Sequence, residues 1–372
     1  MIIYIITISL SVFYVIFLIW CLNNWIKIKD KSHDLLTVTN IKVAVIVPAR
    51  NEAENLLLLL QSLAFQTYPT ENLQIIISDD HSTDGTIEVA ENFCKDNNIR
   101  NVICIRSPKP SKKEAISFAV QNSEAELIIT TDADTFMGNE WVSAIIQEYV
   151  STGSYMICGP VKLCGQRSYL EKLQSMEFIG LLGIGASCIK AKLPMFCNGA
   201  NLAFSKKIFD EVGGYEKSLS LSGDDTQLML KIHGCYPGKI SFLKDSRAIV
   251  QTNVVKRRSE FLQQRRRWAS KIPKTLSTFT VFISVFVWLV HVLMLVYFIY
   301  ALIDFNFLVL FLPFIMISVS NIFMLKAVGK FFEEEISSWL VFLSLPLYCI
   351  YIGWVGLLAP IGTYQWKGRN VR

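Results

Sequence analysis

The sequence is poor in charge. Asp, Glu, Lys and Arg make up 18% of its 372 residues, against about 25% in ordinary soluble proteins. The deficit is local. Positions 2–25, 275–303, 305–325 and 336–360 contain none of these four residues and are strongly apolar. Each has about the 20 residues a helix needs to cross a bilayer. The stretch between them has soluble composition. The expected organisation is a transmembrane helix at 1–25, a linker at 26–41 and a globular domain at 42–272. A membrane region of about three hydrophobic segments at 273–362 and a basic tail at 363–372 complete it.

Other things are missing too. The first apolar segment has no basic region before it and no small-residue cleavage site after it, which argues against a removed signal peptide. Lys27, Lys29 and Lys31 follow that segment, and Lys256, Arg257, Arg258, Arg265, Arg266, Arg267, Lys271 and Lys274 precede the second. Positive charge beside membrane segments marks the cytoplasmic side, so the globular domain is expected to be cytosolic and the protein integral to the cytoplasmic membrane. The net charge of +5 then reflects groups suited to anionic lipid head groups rather than to nucleic acid. The nine cysteines form no CxxC pair and the four histidines do not gather near them, so neither structural zinc nor a disulfide framework is expected. No GxGxxG follows the first strand and no GxxxxGK[ST] occurs, which argues against a Rossmann dinucleotide site and a Walker phosphate loop.

What is present is an alternation. Positions 42–48, 74–78, 101–105 and 127–131 read as buried strands, with helical spacing at 54–65, 84–94 and 112–122 between them. This predicts a parallel sheet with crossover helices, in which ligands gather at the carboxyl ends of the strands. Ala49-Arg50-Asn51-Glu52, Asp79-Asp80 and Asp132-Ala133-Asp134 then share one rim. One residue apart on an extended chain, Asp132 and Asp134 would point the same way. Two such charges repel, and one should be protonated unless a cation sits between them; a solvated turn is the alternative. A nucleotide with no glycine-rich cradle needs a metal for its phosphates, and Mg or Mn with oxygen ligands would serve. Asp79 and Asp80 would accept hydrogen bonds from base or ribose.

The stretches VIVPARNEAENL, SDDHSTDGT, TTDADT, CNGANLAF, SGDDTQLML and QRRRWASK occur in one order. Through them the chain resembles the family 2 glycosyltransferases, whose α/β GT-A domain is a nucleotide-diphospho-sugar transferase fold with a mainly parallel sheet. It is similar above all to the membrane-embedded branch that includes cellulose, hyaluronan and poly-N-acetylglucosamine synthases and lipid glycosyltransferases. The resemblance covers about 42–272. It implies inverting transfer from a nucleotide diphosphate sugar, expected to be UDP-linked, to a membrane lipid or a lipid-linked glycan. A processive polysaccharide synthase is the alternative, and other cell-envelope assembly proteins are possible partners.

Residue by residue, the resemblance implies that Pro48, Ala49, Glu52, Asp79 and Asp80 line the nucleoside and that Lys112 lies near the nucleotide. Asp132 and Asp134 match the metal and diphosphate motif, and Asp225 matches the catalytic base. Gln264, Arg267 and Trp268 match the QxxRW motif. Ser111 and His81 stand where glycines are usual, and Asp224 where glutamate is.

The chemistry is consistent with this. Displacement at an anomeric carbon needs a base opposite the leaving group and positive charge beside the diphosphate. Asp225 can supply the first, and a metal at Asp134 with Arg267 the second. Trp268 offers a flat face for a sugar or an interfacial anchor, while Arg265 and Arg266 are expected to face lipid. Asn198, Gly199 and Asn201, with Asp224, are expected on the acceptor side of the pocket, structural asparagines being the alternative. Gln174 and Glu177 suit either acceptor contact or plain surface. At the C-terminus, three crossings would leave the tail outside, whereas Lys367, Arg369 and Arg372 argue for the inside. Pro346 and Gly353 permit a re-entrant hairpin packed on protein. Two other classes remain: a non-catalytic sugar-nucleotide scaffold, and a nucleotidyltransferase, which would want a basic glycine-rich loop where PARNEAEN stands.

Overall fold

The strand Val43–Ala49 (β1) is buried on both faces, as the centre of a helix-covered parallel sheet must be. Its side chains alternate between two cores. Ala44 and Ile46 enter one, and Val43, Val45 and Val47 the other. The computed structural model describes residues 2–36, 40–165, 168–216, 224–269, 277–304, 307–358, 364–366 and 369–371.

The main sheet has seven strands. In spatial order these are β3 (Val102–Arg106), β2 (Leu73–Asp79), β1, β4 (Leu127–Thr130), β8 (Leu202–Ser205), β6 (Met156–Cys158) and β9 (Ile240–Phe242). The pairs among β3, β2, β1 and β4 are parallel, and β8 runs antiparallel to both neighbours. The crossovers are α2 (Leu56–Ala64), α3 (Thr86–Asp96) and α4 (Lys112–Gln121). This matches the expected alternation, and chain order reverses at β1, where such sheets open a crevice. A second sheet joins β5 (Thr135–Met137), β7 (Val161–Cys164) and β10 (Val250–Asn253). Around these lie α5 (Trp141–Thr152), α6 (Tyr169–Lys190), α7 (Lys206–Glu211), α8 (Asp224–Cys235) and α9 (Arg258–Ala269).

One local expectation is corrected. The fourth strand ends at Thr130, and Asp132-Ala133-Asp134 occupies the turn into β5. The two carboxylates therefore are not aligned by an extended backbone.

Among the described residues, four helices are long and apolar enough to cross a membrane. They are α1 (Ile2–Lys27), α10 (Thr278–Asp304), α11 (Phe307–Phe331) and α12 (Ser338–Leu358). They do not hang loosely from the domain. Cys21 and Trp25 of α1 and Met324, Val328 and Phe331 of α11 share a continuous core with Phe204 and Phe242 of the sheet. Trp25 donates its indole N–H to Ala327 O at 3.2 Å. Ser187 of α6 donates to Cys21 O at 2.8 Å. Gly183 lets α6 lie against α11, since a Cβ there would stand 2.5 Å from Val328.

The segments on both sides of α12 touch the globular domain. Before it, Lys162 of β7 bonds Phe332 O at 2.8 Å and pairs with Glu334 at 3.1 Å. After it, the strand Tyr364–Trp366 (β11) pairs with Arg369–Val371 (β12) and packs on α9.

Candidate active site

A polar cavity of about 310 Å³ opens at the carboxyl ends of β1 and β4. Its wall collects most of the residues singled out in the sequence. Pro48, Ala49, Glu52 and Asp80 come from the ends of β1 and β2, and Lys112 from the first turn of α4. Asp132 and Asp134 come from the turn after β4, Asn198 and Gly199 from the approach to β8, and Asp224 and Asp225 from the start of α8. Gln264, Arg267 and Trp268 come from α9.

The rim at the ends of β1 and β2 is shaped by backbone geometry. Arg50 donates to Asp80 O at 2.7 Å. Asn51 and His81 both adopt positive φ, 51° and 59°, the left-handed region that favours glycine. His81 thus takes up the conformation for which the resemblance leads one to expect glycine. Ser111 is extended, with φ −169°, so a serine there carries no backbone cost. Asp79 is not on the cavity wall. It is buried behind Asp80, accepting from Ser82 N at 3.0 Å and pairing with Arg106 at 3.5 Å, which makes it a support for the loop.

Further along, Lys112 pairs with Asp132 at 2.5 Å. Burial works against the Lys112 charge. The carboxylates of Asp132 and Asp225 outweigh it and hold its pKa above the ordinary lysine value, while Arg267 pulls the other way. Two cations and two acids therefore meet in a small volume. Asp134 is exposed to the cavity. Among the described residues no three His, Cys, Asp or Glu side chains gather as a metal cage. Asp132 and Asp134 both line the cavity, Asp132 with one oxygen on Lys112; a Mg-type ion commonly takes one or two carboxylates and fills its sphere with water and substrate phosphate.

Asp225 accepts from the Gly199 N–H, 3.0 Å from its Oδ2. Gly199 has to be glycine for this contact, since a Cβ would lie 2.8 Å from the same oxygen. Thr130 at the tip of β4 donates to Gly199 O at 3.0 Å, so the turn holding Asp225 is referenced to the sheet. Asp224 is buried and paired with Lys113 at 3.0 Å. Burial and the Asp225 charge push its pKa up to about 6, against the pull of Lys113. Asn198 uses its Oδ1 to cap Ala200 N at 3.0 Å.

Besides Asp79, two expectations fail here. Asn201 is not on the acceptor side. It is buried, donates to Pro160 O and Ala248 O at 2.7 and 2.8 Å, and accepts from Trp141 Nε1 at 3.1 Å. It is a bracket between loops. Arg265 does not face lipid. Its guanidinium is buried, bonds Glu177 and Gln264, and lies 4.2 Å from the Trp268 ring centre. Arg50 lines the cavity as its place on the rim implied, and Phe178, Thr252, Asn253 and Val255, not picked out in the sequence, line it too. Gln174 lines it as well, donating to Val255 O at 2.9 Å.

The mainly parallel sheet, with a polar crevice at the β1/β4 reversal, two acids in the turn after β4 and further acids at the start of α8, is of the GT-A class. Residues 44–213 match the glycosyl transferase family 2, and the chain carries a family 2 glycosyltransferase domain. It is 25% identical over 252 residues to the hyaluronan synthase of Streptococcus pyogenes, which covers 64% of this chain and 58% of that synthase. It is 30% identical over 115 residues to the poly(ribitol-phosphate) beta-N-acetylglucosaminyltransferase TarS of Staphylococcus aureus, covering 30% of this chain and 20% of that protein. Among solved structures, the mannosyltransferase PcManGT of Pyrobaculum calidifontis shares the fold. Its TM-score is 0.57 at 16% identity, over 96% of this chain and 99% of that one.

Proposed function

We propose that this protein is a membrane-integral inverting glycosyltransferase that moves a sugar from a nucleotide diphosphate sugar, UDP-linked, to a membrane lipid or lipid-linked glycan. The observation that carries the reading is the shared cavity in which Lys112 and Arg267 meet Asp132, Asp134 and Asp225. Cations beside acids in one cleft suit a diphosphate bound with a metal, and Asp225, held by the Gly199 N–H, is the acid we assign as the base.

In this mechanism the rim Pro48, Ala49, Glu52 and Asp80 holds the nucleoside. Asp225, oriented by Gly199 N–H, takes the proton from the acceptor hydroxyl as it attacks the anomeric carbon. Lys112 and Arg267 stabilise charge developing on the diphosphate. Asp132 and Asp134 would hold Mg or Mn, which when bound neutralises the leaving group without protonation. PcManGT was solved with GDP-Man and Mn2+, which supports a divalent cofactor and makes GDP-mannose a necessary control donor.

The acceptor assignment rests on the setting. Gln174 and Phe178 line the cavity from α6, the same helix that packs on α11, so the cavity stands beside the apolar helices. The likeness to a hyaluronan synthase favours a second reading, a processive polymer. Pro346 does not break α12, which runs unbroken for 21 residues, about 31 Å of helix, so a re-entrant hairpin is not part of this reading; segments on both of its flanks touch the domain.

The test is transfer from labelled UDP-sugars and GDP-mannose in membranes bearing the protein, with and without EDTA. An organic-soluble glycolipid is the expected product, and its formation should stop in EDTA. A large water-soluble polymer would move the assignment to the second reading. No transfer and no nucleotide diphosphate binding would overturn the enzyme reading.

A further inference from the structure

The carboxylate of Glu177 lies one layer behind the cavity, and all three elements it joins are different. Glu177 belongs to α6, Arg265 to α9 and Tyr351 to α12. Arg265 donates to Glu177 Oε2 through Nε at 2.8 Å and Nη2 at 2.6 Å. Tyr351 donates its hydroxyl to Glu177 Oε1 at 2.8 Å. Both oxygens of the carboxylate are thus used. The remaining arm of the guanidinium, Nη1, donates to Gln264 Oε1 at 2.6 Å. Its plane lies between two rings, 4.6 Å from Phe261 and 4.2 Å from Trp268. Phe261 in turn stacks on Tyr351 at 5.8 Å. The ion pair is nearly dry, with side-chain exposures of 4% for Arg265 and 9% for Glu177.

A buried ion pair adds little net stability, because desolvation offsets the attraction. What it fixes is direction. A guanidinium is planar and presents its donors in a rigid fork. With two arms bound to Glu177, the third can meet Gln264 in only one orientation, and the flat face sets the tilt of Trp268. Gln264, Arg265 and Trp268 line the cavity, Arg265 while nearly buried, whereas Glu177 and Tyr351 do not.

We propose that Glu177 and Arg265 are positioning residues that set Gln264 and Trp268 for sugar transfer, and that Tyr351 anchors them to the apolar helix α12. The proposal rests on the glycosyltransferase reading above. The nucleoside is held elsewhere, by the ends of β1 and β2. Disturbing this node should therefore change turnover and acceptor use far more than nucleotide affinity. A purely structural role would instead lower the folded yield and leave the surviving molecules normal.

Three variants of the full-length protein in one detergent separate these roles. Arg265→Lys keeps the charge opposite Glu177 but loses the fork and the stack. Glu177→Gln removes the charge. Tyr351→Phe removes one hydroxyl, and it should fold even if the other two do not. We expect kcat to fall tenfold or more in Arg265→Lys and Glu177→Gln, and about threefold to tenfold in Tyr351→Phe, the range of one lost hydrogen bond. UDP affinity by titration calorimetry should stay within threefold. Amide hydrogen exchange across 258–269 should speed up in all three variants.

Normal kcat and normal acceptor KM with unchanged exchange would overturn the proposal. A parallel loss of UDP affinity and kcat would also overturn it, since the node would then act on the nucleotide. A wild type that neither binds UDP nor transfers sugar would defeat the glycosyltransferase reading instead. In that case the exchange of the α9 amides alone decides whether Glu177 and Tyr351 hold this helix.

Discussion

Replacing Asp225 by Asn isolates its proton-accepting role. The side chain keeps its shape, and the amide oxygen can still accept the Gly199 N–H that now lies 3.0 Å from Oδ2. Fold and position should therefore survive. Lys112 keeps Asp132 as its nearest partner at 2.5 Å, so the cation beside the diphosphate stays in place. UDP affinity should remain within about threefold, since no group on the nucleoside rim is touched. What is lost is the base. A positioned general base contributes about 10² to 10⁴ in rate, equivalent to about 3–5 kcal/mol of barrier. Asp224 provides an internal control. Its pKa of about 6 is raised in part by the Asp225 charge, so Asp225→Asn should lower it. Asp224→Asn should cost less transfer, because Asp224 is committed to Lys113 at 3.0 Å. The two variants should be compared in one membrane preparation, by UDP titration and by sugar transfer. A tenfold loss of UDP affinity in Asp225→Asn would place that residue in the nucleotide site. Near-normal transfer there, beside a dead Asp224→Asn, would move the base by one position.

Three further outcomes are expected. Lys112→Ala should raise the donor KM several-fold with a smaller effect on acceptor KM; an unchanged donor KM in a kinetic titration would remove Lys112 from the diphosphate. Asn201→Ala strips three buried hydrogen bonds and should cost about 3–5 kcal/mol. Thermal unfolding in detergent should show this loss while acceptor KM stays normal, and a raised acceptor KM without destabilisation would return Asn201 to the pocket. Asp224 predicts a pH effect with a definite sign. Its folded pKa of about 6 exceeds the ordinary 3.8, so its stabilising contribution is complete below pH 3.8 and is lost as pH rises through about 6. Wild type minus Asp224→Asn should therefore lose about 3 kcal/mol of stability across that window; a flat difference in pH-dependent unfolding would contradict the burial of this carboxylate.

Much of the site was legible because it lies at the ends of local elements. The carboxyl ends of β1, β2 and β4 could be placed from strand–helix alternation alone, and with them Glu52, Asp80 and the acidic pair. Alternation does not report how a chain turns once a strand stops, so the geometry of Asp132 and Asp134 was misjudged. Asn201 and Arg265 were misplaced for another reason. Their partners are remote in sequence: Trp141 lies 60 residues away, Ala248 47 and Glu177 88. A run such as QRRRW beside an apolar segment looks lipid-facing until a buried acid is brought to it, and no spacing in the sequence announces that. Phe178 and Gln174 escaped firm assignment because both sit on a long helix whose cavity-facing side is set by packing on α1 and α11.

Helix α6 has a consequence for scale. Gln174 stands in the cavity wall, and Gly183, nine residues on, is wedged against Val328 of α11 with no room for a Cβ. Nine residues of helix span about 14 Å. With the helix seated there, the cavity lies at a set distance from α11. On the lipid-acceptor proposal, an acceptor tethered in the bilayer meets the cavity only if its nucleophilic hydroxyl projects by a matching amount. The protein would then select its acceptors as a ruler does, by the length of the polar stalk between lipid and hydroxyl, before any side chain in the pocket inspects the sugar.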